Sequence, residues 1–120
     1  MNVLIVVSNR SAARMVKEFL EKHVNKIIID VAYNLPILKN RLENIKYDYI
    51  IADIVSMINQ DDIIHEFNKV QTPIIMWTLA PMSTSFESSV HSLRNQLCGI
   101  VKKPLRCTEE MMKVLQPVLI

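Results

Sequence analysis

Tyr47-Asp48-Tyr49-Ile50-Ile51-Ala52-Asp53 is the stretch on which the fold turns. Its apolar run Tyr49-Ile50-Ile51-Ala52 is short, β-branched at its centre and unbroken, and it stops abruptly at a carboxylate. A strand with one wet face would alternate apolar and polar residues. A continuous run of this length fits a strand buried on both faces, as in a parallel sheet.

Four more runs of the same kind follow the same rule: Val3-Leu4-Ile5-Val6-Val7, Lys26-Ile27-Ile28-Ile29-Asp30-Val31, Pro73-Ile74-Ile75-Met76-Trp77 and Gly99-Ile100-Val101. Helical periodicity fills the gaps between them. Met15, Val16, Phe19 and Leu20 form one stripe, opposite Arg14, Lys17, Glu18 and Glu21, and Ser11 is the expected N-cap. A second helix is expected from the cap Asn34, with Pro36 in its first turn and Leu35, Leu38 and Leu42 on its apolar side. Asp61 or Asp62 is expected to open a third, carrying Ile63, Ile64 and Phe67. Ser83 to Gln96 reads as a fourth with Phe86, Val90 and Leu93. Thr108 is the expected cap of a fifth, with Glu109 and Glu110 in its first turn, then Met111, Met112 and Leu115, and Pro117 as its stop. Five strand-then-helix units in 120 residues predict a single α/β domain with an open, doubly wound parallel sheet.

Composition narrows the function. Gly99 is the sole glycine, where average usage would give roughly eight. Dinucleotide loops, phosphate loops and EF-hand loops all need glycine where backbone approaches a phosphate or turns sharply, so none can be written here. An FMN-binding enzyme is disfavoured on the same ground, since Ser8-Asn9-Arg10-Ser11 would have to cradle the phosphate without glycine. Fourteen Lys+Arg against twelve Asp+Glu give a net charge of +2. With no basic run beyond Lys39/Arg41 and Lys102/Lys103/Arg106, direct nucleic-acid binding is not expected. Cys98 and Cys107 fit neither a CxxC motif nor a metal set and read as reduced thiols. His23, His65 and His91 fall on three different helical segments, so they read as scattered histidines rather than ligands. No apolar stretch approaches the ~20 residues that span a bilayer, and no signal-peptide cleavage pattern opens the chain; a cytoplasmic module is expected, with no membrane contact.

Ligand sites in doubly wound sheets lie at the carboxyl ends of the strands. Ser8, Asn9 and Arg10 follow the first run, Asp53 the third and Thr78 the fourth, while Lys102, Lys103 and Pro104 follow the fifth. A carboxylate can accept a phosphoryl group as an acyl phosphate, a hydroxyl can hydrogen-bond a phosphoryl oxygen, and an ammonium can neutralise its charge.

On these residues the chain resembles a response-regulator receiver domain of the CheY-like family over essentially its whole length. Four segments carry the resemblance: residues 3–7, Tyr47 to Asp53, Thr72-Pro73-Ile74-Ile75-Met76-Trp77-Thr78 and Gly99-Ile100-Val101-Lys102-Lys103-Pro104-Leu105. The Lys-Pro pair of the last is the most specific. The resemblance implies a flavodoxin-like sheet of five parallel strands in order 2-1-3-4-5 with five helices. It implies a signalling module rather than an enzyme, with a histidine kinase or another signalling protein as partner. Asp53 would be the phospho-acceptor, Thr78 the switch hydroxyl and Lys103 the phosphate-binding lysine. A homodimer through the fourth and fifth helices and the fifth strand is also expected, using an exposed part of Met111, Met112, Leu115 and Val118.

The departures from the family pattern are as informative. Two acidic residues normally follow the first strand and hold Mg²⁺ together with the acceptor; here the positions read Ser8 and Asn9. The loop Ile54-Val55-Ser56-Met57-Ile58-Asn59 lacks the usual proline and glycine, and Ile100 stands at the aromatic switch position. A hydroxyl and an amide offer Mg²⁺ only neutral oxygens, so no cofactor is expected beyond weak Mg²⁺ at Asp53. Losing even ~3 kcal/mol of metal stabilisation would slow phosphoryl transfer by about two orders of magnitude. The expected resting arrangement is an Asp53–Lys103 ion pair. The competing expectation is a pseudo-receiver, used for docking or dimerisation without phosphorylation.

Overall fold

The computed structural model describes residues 1–53, 57–78 and 97–102. Its elements run β1 (Asn2–Val6), α1 (Arg10–His23), β2 (Ile28–Ala32), α2 (Leu35–Asn44), β3 (Tyr49–Ala52), α3 (Gln60–Lys69), β4 (Ile74–Thr78) and β5 (Leu97–Lys102). All neighbouring strands pair in parallel, in the order β2-β1-β3-β4-β5. The expected fourth and fifth helices, Lys103, Pro104 and the helical part of the expected dimer face lie outside the described residues.

Strand alternation divides the sheet between two cores. Leu4, Val6, Ala32, Ile50, Ala52, Ile74 and Met76 pack with Leu38 of α2 and Ile63, Ile64 and Phe67 of α3. Val3, Ile5, Val7, Ile51 and Ile75 pack on the other face with Ala13, Val16 and Leu20 of α1. Helices thus cover both faces, which is why β1 and β3 read as continuous apolar runs.

β2 departs from that expectation. It is an edge strand, with Ile28 62% exposed and only Ala32 buried, because its outer side has no neighbouring strand to cover it. β5 starts two residues earlier than the run Gly99-Ile100-Val101, so Gly99 lies within the strand rather than at its start. Its pairing with β4 slips between Ile74 and Ile75, which face Leu97 and Gly99, so Cys98 is the extra residue of a bulge.

The helix starts also differ in detail. Asn34 caps α2 as expected, its side chain accepting the Ile37 N–H at 3.0 Å, with Pro36 in the first turn. α1 begins one residue before Ser11, and its cap is Asn9. Met15 is 45% exposed, so the buried stripe of α1 is Ala13, Val16 and Leu20. In α3 neither Asp61 nor Asp62 is the cap. Asn59 holds that place in the left-handed region (φ 59°) without a side-chain cap bond, and both acids sit in the first turn. There they still face the positive end of the helix dipole.

Among the described residues the left-handed positions fall to Lys26 (φ 57°) in the turn before β2 and Asn59 before α3, not to glycine. Asparagine tolerates that region; lysine does so at a cost.

Beneath α2, the buried Tyr47 hydroxyl donates to Asp30 Oδ2 of β2 at 2.7 Å. Burial, reinforced by the Asp30 hydrogen bond and charge and opposed by Arg41, pushes this phenol well above its ordinary range. Glu66 joins α2 to α3, with Lys69 Nζ at 3.1 Å and Lys39 Nζ at 4.0 Å from the same carboxylate oxygen.

Candidate functional site

The carboxyl edge of the sheet is built by register. β1 and β3 pair from Val3↔Tyr49 to Val6↔Ala52, so the two strands end level. One residue further, the Asp53 N–H donates to the Val6 carbonyl at 2.8 Å. On the other side of β1, the Val7 N–H donates to the Ala32 carbonyl at 3.1 Å. The ladder therefore runs to the last residue of each strand before the chain departs into the loops. Asp53 is the most buried acid among the described residues, 2% exposed, whereas Ser8, Asn9 and Arg10 are exposed.

Asn9 has a definite job. Its side-chain oxygen accepts the N–H groups of Ser11 (2.8 Å) and Ala12 (3.2 Å), and its carbonyl accepts the Ala13 N–H (3.1 Å). An amide oxygen offers two lone pairs, and both face helix donors here. The sequence signal was present, because asparagine before a helical stripe is a favoured cap; the hydroxyl of Ser11 competed for the same reading.

Arg10, the first residue of α1, lies over the ring of Tyr33, with its guanidinium carbon 5.1 Å from the ring centroid. Tyr33 directly follows β2, on the far side of β1 from β3. This cation–π contact joins the loops after β1 and β2. Sequence reading placed Arg10 at this edge but not its partner Tyr33, because the contact depends on residues far apart in the chain meeting there.

Toward the other side, Met76 of β4 pairs with Ala52, so continuing the register brings Asp53 level with Trp77 and leaves Thr78 one step beyond. Thr78 ends β4 and pairs with Lys102 of β5. The backbone thus brings Ser8, Asn9, Asp53, Thr78 and Lys102 to the same edge. Lys103, expected beside Asp53, lies outside the described residues, as does the expected Asp53–Lys103 pair.

The fit of Mg²⁺ to this edge can be tested on the chain's own atoms. The ion favours hard, preferably anionic oxygens in octahedral array. Asn9 has its amide oxygen committed to α1, leaving the Asp53 carboxylate and the neutral Ser8 hydroxyl. Among the described residues no three His, Cys, Asp or Glu side chains gather into a metal-binding group. The residues present do not fit the ion. Capping takes the one oxygen that the Asn9 side chain could have offered. His23 and His65 are exposed on α1 and α3.

Neither a protein-family model nor a curated protein matches the sequence. Solved structures do. A two-component response regulator from Clostridium difficile superposes with TM-score 0.78 at 22% identity, covering 99% of this chain and 95% of that one. The signal receiver domain of an HD domain-containing protein from Pseudomonas fluorescens Pf-5 reaches 0.80 at 14% identity, covering 98% and 93%. The fold is that of a receiver domain. The chemotaxis response regulator CheY4 of Vibrio cholerae is similar throughout, with TM-score 0.72 and 22% identity over 98% of both chains. On this receiver fold, Asp53 directly follows the central strand β3 and the neutral Ser8-Asn9 pair follows its neighbour β1.

Proposed function

We propose that the chain is a receiver module of a two-component phosphorelay, with Asp53 as phospho-acceptor. The observation that carries this reading is the position of Asp53: a buried acid stitched to the end of β1 at the carboxyl edge of a receiver sheet. Thr78 serves as the switch hydroxyl and Lys103 as the phosphate clamp. Two further helices, formed from Ser83 to Gln96 and from Thr108 onward, complete the fold. The partner is a histidine kinase or another signalling protein, and the module works by contact in the cytoplasm rather than as an enzyme. A homodimer would use the fourth and fifth helices with β5. No helix among the described residues is long and apolar enough to cross a membrane.

In the transfer step a carboxylate oxygen of Asp53 attacks phosphorus. With acetyl phosphate as donor, the P–O bond to acetate breaks and acetate leaves with the electron pair. The test is incubation with acetyl phosphate followed by intact-mass measurement. A gain of about 80 Da that is absent in Asp53→Asn supports the reading; an adduct that persists in Asp53→Asn overturns it.

A second reading is favoured by one observation. Asn9 is engaged as a helix cap where an acidic pair would aid phosphoryl transfer. This supports a pseudo-receiver that docks or dimerises without phosphorylation, for which no adduct would form at all.

A further inference from the structure

Asn9 sits where a cation ligand would be expected, yet both lone pairs of its side-chain oxygen face the Ser11 and Ala12 N–H groups at 2.8 and 3.2 Å. Rotating that oxygen toward a cation beside Asp53 would leave two donors of the first turn of α1 without their cap. The N-terminal end of α1 also carries positive dipole charge at this edge, and no acid in its first turn offsets it. Asp53 follows the neighbouring strand β3, its N–H on the carbonyl of Val6, three residues before Asn9, at 2.8 Å. The edge therefore combines one buried carboxylate, a neutral hydroxyl and the positive pole of a helix.

We infer that the Asp53 edge has exchanged divalent-cation binding for helix capping at Asn9, and that the chemistry of Asp53 does not depend on such an ion. This rests on the reading of Asp53 as the acid of the site. Asn9 is a positioning residue: it holds the loop after β1 against the start of α1. Replacing it by aspartate would keep the cap, because a carboxylate oxygen accepts the same N–H groups, and would leave a second oxygen for a cation. Asparagine offers only its amide nitrogen in that place, which cannot ligate a metal.

The experiment is titration of the full chain with Mn²⁺, followed by paramagnetic broadening of the Ser8 and Asp53 amide signals. The native chain should show no selective broadening there below about 1 mM, a range in which a site with several anionic oxygens fills. The Ser8→Asp/Asn9→Asp double variant should gain broadening at both amides with an unchanged fold. Asn9→Ala should leave the titration as it is while lowering the unfolding midpoint. Selective broadening in the native chain at sub-millimolar Mn²⁺, abolished by Asn9→Ala, would overturn the inference. Incubation with acetyl phosphate, with Mg²⁺ or with EDTA, separates the two readings. An adduct in both arms supports both, and an adduct only with Mg²⁺ overturns the cation-free inference while sparing Asp53. With no adduct in either arm the acceptor reading falls, and the Mn²⁺ titration still decides the question of the cation.

Discussion

The Asp53 N–H donates to the Val6 carbonyl at 2.8 Å, joining the candidate acceptor to the end of β1. The loop that leaves β1 two residues later, Ser8-Asn9, is fixed in turn by the bonds from Asn9 to α1. The acid and the cap therefore belong to one rigid edge, and changes at Asn9 separate capping from chemistry.

Asn9→Ala should cost about 1 kcal/mol of stability, the usual worth of an N-cap side chain. Asn9→Asp should be neutral or stabilising, since an anion at the start of α1 meets the positive end of the helix dipole. Urea unfolding checks both, as a shift of midpoint at constant slope.

Leu20→Ala should cost about 2–5 kcal/mol. Leu20 is fully buried between α1 and the sheet, with Val16 and Ala13 on the same face. Met15→Ala, five residues earlier and 45% exposed, should cost far less. Paired urea curves on the two variants would show whether the stripe of α1 runs through Leu20 and not Met15.

Lys26→Gly should stabilise the chain by about 1 kcal/mol. Lys26 holds φ 57°, and a residue with a Cβ pays roughly 1–2 kcal/mol in the left-handed region, part of which the greater backbone entropy of glycine gives back. The same substitution at neighbouring Asn25, which is not among the positive-φ residues, should not stabilise. Thermal or urea midpoints of the two variants make the comparison.

Tyr47 gives a pH signature. Its folded-state pKa is raised above the unfolded value of about 10. The folded chain then holds the phenolic proton more tightly, so this contribution is fully present below pH ~10 and is lost as pH rises above it. Absorbance titration should show the Tyr47 phenol ionising later than an ordinary tyrosine. Tyr47→Phe should abolish that late step, and lower stability at neutral pH by leaving Asp30 without its donor.

Much of this was legible in the chain itself. The runs at residues 3–7, 49–52 and 73–77 are unbroken because both faces of β1, β3 and β4 are covered, and that burial writes itself into composition. Lys26-Ile27-Ile28-Ile29-Asp30-Val31 looked the same, yet it forms an edge strand, since apolar residues also occur on exposed edges and a run carries no record of its neighbours. The cap of α1 was expected at Ser11 and lies two residues earlier at Asn9: both side chains can cap, and only the start of the helix decides between them.

The sequence by itself determined the strand-and-helix alternation, the position of Asp53 directly after its strand, and the absence of acids at Ser8 and Asn9. Only the tertiary structure decided what those neutral residues do there. Register set Asp53 against Val6, packing aligned α1 so that Asn9 faces its N–H groups, and two distant loops met to place Arg10 over Tyr33. The reason is physical. Hydrophobic periodicity is written into neighbouring residues, whereas the partners of a polar atom are fixed when separate strands come into register at one edge.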